Sequence, residues 1–254
     1  MRLRGKTAII TGAGSGMGRA AALQFLREGA HVAIVDINET AIAAVVAEGE
    51  AIAPGCILGL RADASNEADC AAAVCHAAKF LGPVNVLYNN LGVNLSATVT
   101  ETTPEQWARI FRINVRSMYF MCRQVLPMMM QQKGGIIINT SSSGGAIALK
   151  GLAAYSASKG AVIGLTRSIA ADYAKYNIRA NYLIPGVIMT QMTKTVIAAQ
   201  PDPEAYSENM RTNNPLHRFG EEQEIAMTAV YLASDETTFM TGASMVVDGG
   251  YMAQ

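Results

Sequence analysis

The sequence predicts a single doubly wound α/β domain: a parallel sheet of about seven strands with helices on both faces. Three observations predict it. Short apolar runs alternate with longer segments of helical period along the 254 residues. The runs lack in–out alternation, which means both of their faces are covered. A glycine-rich turn joins the first run to the first helix.

The strand candidates, in order, are Thr7–Ile10, Val32–Val35, Ile57–Leu60, Val84–Tyr88, Gly135–Asn139, Arg179–Leu183 and Met245–Val247. Helices are expected over Gly18–Glu28, Glu39–Glu48, Asn66–Phe80, Pro104–Gln131, Tyr155–Tyr176 and Glu221–Leu232. No repeat or Pro/Gly/Ser linker divides the chain, so 1–254 reads as one domain. Residues 186–215 read as irregular. They carry Pro201, Pro203 and Pro215 among polar residues and are expected to form a lid over the substrate.

Composition narrows the class. Half of the residues are hydrophobic and 16% are charged, as in a well-buried globular core. Lys plus Arg equals Asp plus Glu at 20 each, so nothing favours broad attraction to nucleic acid or an anionic membrane. Cys56, Cys70, Cys75 and Cys122 form no C-x-x-C pair and read as reduced thiols, which points to the cytoplasm. The first residues lack the apolar stretch of a signal peptide, and no run has the length of a membrane span. His31, His76 and His217 have no paired spacing, so no catalytic metal is expected.

The turn Thr11-Gly12-Ala13-Gly14-Ser15-Gly16-Met17-Gly18 sits between a strand and a helix N-terminus. There the backbone can approach a pyrophosphate, and the helix dipole offsets its charge. The G-x-G-x-x-G spacing fails, because Met17 stands where the last glycine belongs. Asp36 ends the second strand, where a carboxylate can grip a ribose diol and repel a 2′-phosphate. Ser15 and Ile37 add no positive charge. Loop and acid together favour NAD in a Rossmann-type domain.

Tyr155 and Lys159 lie four apart on one helical face. A neighbouring ammonium, together with the positive nicotinamide ring, is expected to draw the tyrosine towards a working base. Ser142 lies in a hydroxyl cluster at the carboxyl end of a strand, where it can donate to a substrate oxygen. No G-x-S-x-G elbow surrounds it, which argues against a hydrolase.

These features make the sequence resemble the short-chain dehydrogenase/reductase family over essentially its whole length. The likeness rests on Thr11-Gly12-x-x-x-Gly16-x-Gly18, Asp63, Asn89-Asn90-Leu91-Gly92, Asn114, Ser142, Tyr155-x-x-x-Lys159, Pro185-Gly186 and Asp248-Gly249-Gly250. It implies hydride transfer between NAD(H) and a secondary alcohol or ketone, with Tyr155 as acid/base and Ser142 holding the substrate oxygen. Lys159 would bind the nicotinamide ribose, and Asn114 would hold a water in a proton relay. Asp63 and Ala64 would meet the adenine, and Asn90 and Gly92 would line the ribose. Ile188 and Thr190, beyond Pro185-Gly186, would reach the nicotinamide carboxamide. Gly12, Ser15, Gly16, Met17 and Gly18 would cradle the phosphates.

One departure is Leu91, where the family usually has Ala, and packing around the ribose is expected to differ. The family also implies a homotetramer, with Pro104–Gln131 and Tyr155–Tyr176 as dimer surfaces. The terminal Gln254 resembles that of members in which it helps to bind a structural Mg²⁺, though an ordinary chain end explains it as well. For the substrate, Asn94, Ser142, Leu149 and Met192 are the expected contacts. Leu95, Ala148, Met189 and Val196 add apolar surface suited to a neutral alcohol or ketone. The alternatives are an NADPH-dependent 3-oxoacyl or ketone reductase and a catalytically silent NAD-sensing scaffold.

Overall fold

A computed structural model describes residues 1–253; Gln254, and with it the Mg²⁺ expectation, lies outside the described residues. Seven parallel strands form one sheet: β1 (Thr7–Thr11), β2 (His31–Asp36), β3 (Ile57–Arg61), β4 (Val86–Asn89), β5 (Gly135–Thr140), β6 (Ile178–Pro185) and β7 (Ser244–Val247). Their order across the sheet is β3-β2-β1-β4-β5-β6-β7. The order reverses between β1 and β4, so the connections diverge there and leave a crevice at the carboxyl ends of the strands. Every residue of β1, β4 and β6 is buried, as an interior strand covered on both faces requires. β7 lies at the edge and alternates between exposed and half-buried residues.

Helices α1 (Gly16–Arg27), α2 (Glu39–Ile52) and α10 (Glu222–Ala233) cover one face, with Phe25, Ile34, Tyr88, Ile138 and Ile225 at its core. Helices α3 (Glu67–Leu81), α5 (Ser117–Gln132) and α7 (Ala153–Tyr173) cover the other, around Ile9, Leu87, Met121, Val125 and Ile137. Asn38 and Asn66 cap α2 and α3 by accepting from backbone N–H groups of the first turn.

Two segments differ from expectation. The helix anticipated over Pro104–Gln131 is broken into α4 (Pro104–Phe111), a π-helical turn at Arg112–Arg116, and α5. Thr103 and Gln106 close a capping box at the start of α4, which the sequence pattern permits. The π turn leaves no such mark in composition. Residues 186–215, expected to be irregular, contain α8 (Gln191–Ala198) and α9 (Pro203–Thr212). Thr190 and Asp202 cap them, and Pro203 occupies the first turn of α9, where its missing N–H costs nothing. The prolines therefore punctuate helices there rather than exclude them.

Candidate active site

The carboxyl edge of the sheet carries the predicted residues in spatial order. Asp63 follows β3, Asp36 ends β2, the glycine loop follows β1, and Asn90 follows β4. Ser142 then follows β5, and Pro185 ends β6.

The glycine loop has the shape of a cradle that side chains would fill. Gly12 and Gly16 hold φ of 63° and 58°, in the left-handed region that favours glycine. A Cβ on Gly18 would stand 2.3 Å from the Gly12 carbonyl oxygen and 2.7 Å from Asn90 Nδ2, so α1 starts in direct contact with the loop. Ser15 is the N-cap of α1 and Met17 lies in its first turn. The free N–H groups at this end, with no acidic residue in the first turn, suit a pyrophosphate. Thr190 leans over the loop, its Cγ2 3.7 Å from a Cβ built on Gly16.

Asp36 closes the β2 side of the glycine loop. Its Oδ2 accepts from the Gly14 N–H at 2.9 Å and its Oδ1 from the Asn38 N–H at 3.1 Å. Each oxygen keeps a lone pair for a further donor, as a ribose diol would supply. Arg61 is its register partner on β3, a cation that the sequence reading missed because strand register is invisible in a linear pattern. Arg61 is paired with Glu39 at 3.3 Å, and Arg19 is paired with Glu48. Asp63 accepts from the Ser65 N–H at 2.8 Å, and Ala64 is buried beside it.

The candidate catalytic residues Ser142, Tyr155 and Lys159 are placed by β5 and α7. Helix α7 begins at Ala153, two residues earlier than expected, which puts Tyr155 in its first turn and Lys159 one turn on. Ser142 caps the short helix α6 (Ser143–Ala146), accepting from the Gly144 N–H at 3.2 Å. Its hydroxyl lies beside the Tyr155 phenol. Lys159 Nζ donates to the Thr140 carbonyl at 2.9 Å and lies 5.8 Å from the Tyr155 ring centre. Gly145 has no room for a side chain: a Cβ would be 2.6 Å from the backbone carbon of Lys159. The Gly144-Gly145 pair thus lets the serine turn lie directly on α7.

Asn114 is brought to the centre by the π turn and is fully buried. Its carboxamide accepts from the Val93 N–H at 2.8 Å and donates to the Val93 carbonyl at 2.9 Å. It also donates to Ser158 Oγ at 3.0 Å. It therefore clamps the loop after β4 against α7. A Cβ on Gly92 would stand 3.1 Å from Lys159 Nζ and 3.6 Å from Asn114 Oδ1, so glycine keeps that floor open.

The electrostatics of the chain by itself run against the ammonium's share of that expectation. Burial holds the Tyr155 phenol above its ordinary value, and the neighbouring Ser142 hydroxyl only opposes this. Burial also brings Lys159 down to about 8. Desolvation thus outweighs the lowering expected from a neighbouring ammonium, because both groups have left water together.

The remaining residues are placed as follows. Leu91 packs on the core beneath α3 and α5, which absorbs its extra bulk, while its Cα lies 3.0 Å from a Cβ built on Gly12. Pro185-Gly186 abuts Asp248, whose Cα is 2.6 Å from a Cβ built on Gly186. Ile188 is buried and bridges to Gly220. Asn94 Oδ1 accepts from the Leu95 N–H at 2.8 Å, Leu149 touches Gly144, and Met192 is 49% exposed on α8. Met189 lines a separate cavity of about 720 Å³ on the α1 flank with Arg19, Lys194 and Phe219. Sequence reasoning missed Thr140, Ser158 and Tyr88, whose roles lie in backbone carbonyls and buried hydrogen bonds. Among the described residues no cluster suits a metal ion, and no helix is long and apolar enough to cross a membrane.

Comparison with known proteins agrees with this geometry. A family model described as enoyl-(acyl carrier protein) reductase matches residues 12–252. The 2-keto-3-deoxy-L-fuconate dehydrogenase of Xanthomonas campestris pv. campestris is 39% identical over 98% of this chain and 81% of its own length. Dehydrogenase/reductase SDR family member 6 of Rattus norvegicus is 38% identical over 98% of both chains. The crystal structure of levodione reductase superposes with a TM-score of 0.95 at 33% identity, covering 99% of each chain. The chain is an oxidoreductase acting on CH–OH groups with a nicotinamide cofactor, and it belongs to the short-chain dehydrogenase/reductase family.

Proposed function

We propose that this protein is an NAD-dependent dehydrogenase of a neutral, partly apolar secondary alcohol, or the reductase of the matching ketone. The observation that carries the cofactor choice is the Asp36 carboxylate, held beside the glycine loop by the Gly14 and Asn38 N–H groups. A 2′-phosphate there would meet a fixed negative charge, and the guanidinium groups of Arg61 and Arg19 are already paired with carboxylates. The nicotinamide ring, when bound, supplies the hydride acceptor or donor and, in its oxidised form, a positive charge.

The chain's own groups handle the proton. In oxidation the Tyr155 oxygen takes the proton from the alcohol O–H, and in reduction the Tyr155 hydroxyl returns it to the carbonyl oxygen. Ser142 donates to that same oxygen and holds it within reach of Tyr155. Lys159, pinned to the Thr140 carbonyl, offers its remaining N–H groups to the ribose and its charge to the phenol. Asn114 keeps the loop of Gly92 and Val93 in place beneath them.

Residues 186–215 serve as the substrate cover in this reading, because α8 and α9 contain no buried residue and are free to adapt. Trp107 and Tyr119, 43% and 44% exposed on α4 and α5, support a homotetramer built on those helices. The four free cysteines support a reducing, cytoplasmic setting. Paired titrations with NADH and NADPH test the proposal. Preference for NADH is expected, with Asp36→Ala narrowing the gap by at least about tenfold; a wild-type preference for NADPH would overturn it.

A further inference from the structure

Tyr88 sits in mid-sheet on β4 with its side chain wholly buried among apolar residues beneath α1 and α10. A phenol in such surroundings is costly unless its hydroxyl is bonded. It receives a hydrogen bond from Thr140 Oγ1 at 3.3 Å and donates one to Asn90 Oδ1 at 3.3 Å. Asn90 Nδ2 in turn donates to the Gly12 carbonyl at 3.3 Å. At the other end, the Thr140 carbonyl holds Lys159 Nζ at 2.9 Å. Burial pushes the Tyr88 phenol up to about 12, so it stays a neutral hydroxyl able both to donate and to accept. One unbroken path of residues thus joins the anchor of Lys159 to the cofactor loop.

We infer that Tyr88 is a positioning residue for the cofactor: it fixes Asn90 against Gly12 and so sets the shape of the glycine loop. The tolerance is small. Gly18 at the head of α1 already has no space for a Cβ between Asn90 Nδ2 and the Gly12 oxygen. A carboxamide released from Tyr88 can swing into that junction and disturb the N–H groups that face the pyrophosphate. The inference rests on the nicotinamide chemistry of the site and on no choice between NAD and NADP.

The test is Tyr88→Phe, which keeps the ring and removes only the hydroxyl. The control is Tyr182→Phe, which removes another buried tyrosine hydroxyl, bonded to Arg167 at 3.0 Å and outside this path. Binding is read by fluorescence titration with NADH and NADPH. Tyr88→Phe is expected to raise the dissociation constant about three- to tenfold while kcat at saturating cofactor stays within about twofold. Tyr182→Phe is expected to leave binding unchanged. Tyr88→Phe added to Asn90→Ala should weaken binding no further than Asn90→Ala alone. Unchanged binding in Tyr88→Phe, equal loss in both Phe variants, or additive loss with Asn90→Ala overturns the inference. Failure of the wild-type protein to bind either cofactor would overturn the nicotinamide reading as well, and that result is read before any variant.

Discussion

Asn114, Ser158, Lys159 and Thr140 are all buried, and the hydrogen bonds among them and to Val93 and Tyr88 join parts of the chain 19 to 52 residues apart. In α8 and α9, which cover them in our reading, no residue is buried, and side-chain hydrogen bonds reach at most six residues along the chain. The floor is thus held by the tertiary fold, whereas the cover is held by local capping. Groups that must meet a reacting oxygen need fixed positions, since small displacements cost rate steeply. Groups that only select a substrate need not be fixed by the core, and there sequence is free to vary.

Breaking the floor is expected to give the largest effect. Tyr155→Phe should lower turnover by about 10³-fold or more while cofactor affinity stays within about twofold. Steady-state rates, followed by the absorbance of reduced nicotinamide, and a parallel binding titration check both halves. A loss of affinity to match the loss of rate would mean that Tyr155 shapes the site rather than moves the proton.

Lys159 sharpens the comparison by setting function against stability. Its folded value is about 8 against an ordinary 10.5. Between those values the unfolded chain binds more protons, so stability rises with pH there, and below about 8 the full cost of burying the ammonium is present. Lys159→Met should therefore be inactive yet more stable than wild type at neutral pH, by up to about 3 kcal/mol. That advantage should shrink as pH climbs from about 8 towards 10.5 in denaturant titrations. A variant less stable than wild type at neutral pH would show that the bond to Thr140 outweighs desolvation.

The smallest effect is expected in the cover. Met192→Ala should move the melting temperature by less than about 2 °C, because the side chain is half exposed. KM should change several-fold for one alcohol and little for another, with kcat nearly constant. Equal changes for every substrate would place Met192 outside the recognition surface.

The same contrast explains what could be read in advance. The strands, the glycine loop, Asp36 and the Tyr155–Lys159 pair are legible because their signals are local: apolar runs, a turn that needs glycine, a spacing of four. Thr140 was invisible as an anchor because its carbonyl does the work, and any residue has a carbonyl. Tyr88 reads as one more apolar strand residue until its neighbour strand supplies Thr140. Residues 186–215 read as irregular because Pro203 sits where a helix begins, and a linear pattern weighs proline first as a breaker. Arg61 became relevant only through its register with Asp36.

The π turn at Arg112–Arg116 adds a constraint on how this chain can be lengthened or shortened. A π turn amounts to one residue more than a regular helix would hold, kept at the cost of poorer hydrogen-bond geometry. Deleting a single residue there would heal the ladder into an unbroken α-helix, because the widened turn is what absorbs the extra residue. The buried face of α5, with Met121 and Val125, would keep its phase, while the widened turn that carries Asn114 to Val93 would be lost. The extra residue is thus confined to one turn, and removing it would spare the helix beyond while opening the clamp on the loop after β4.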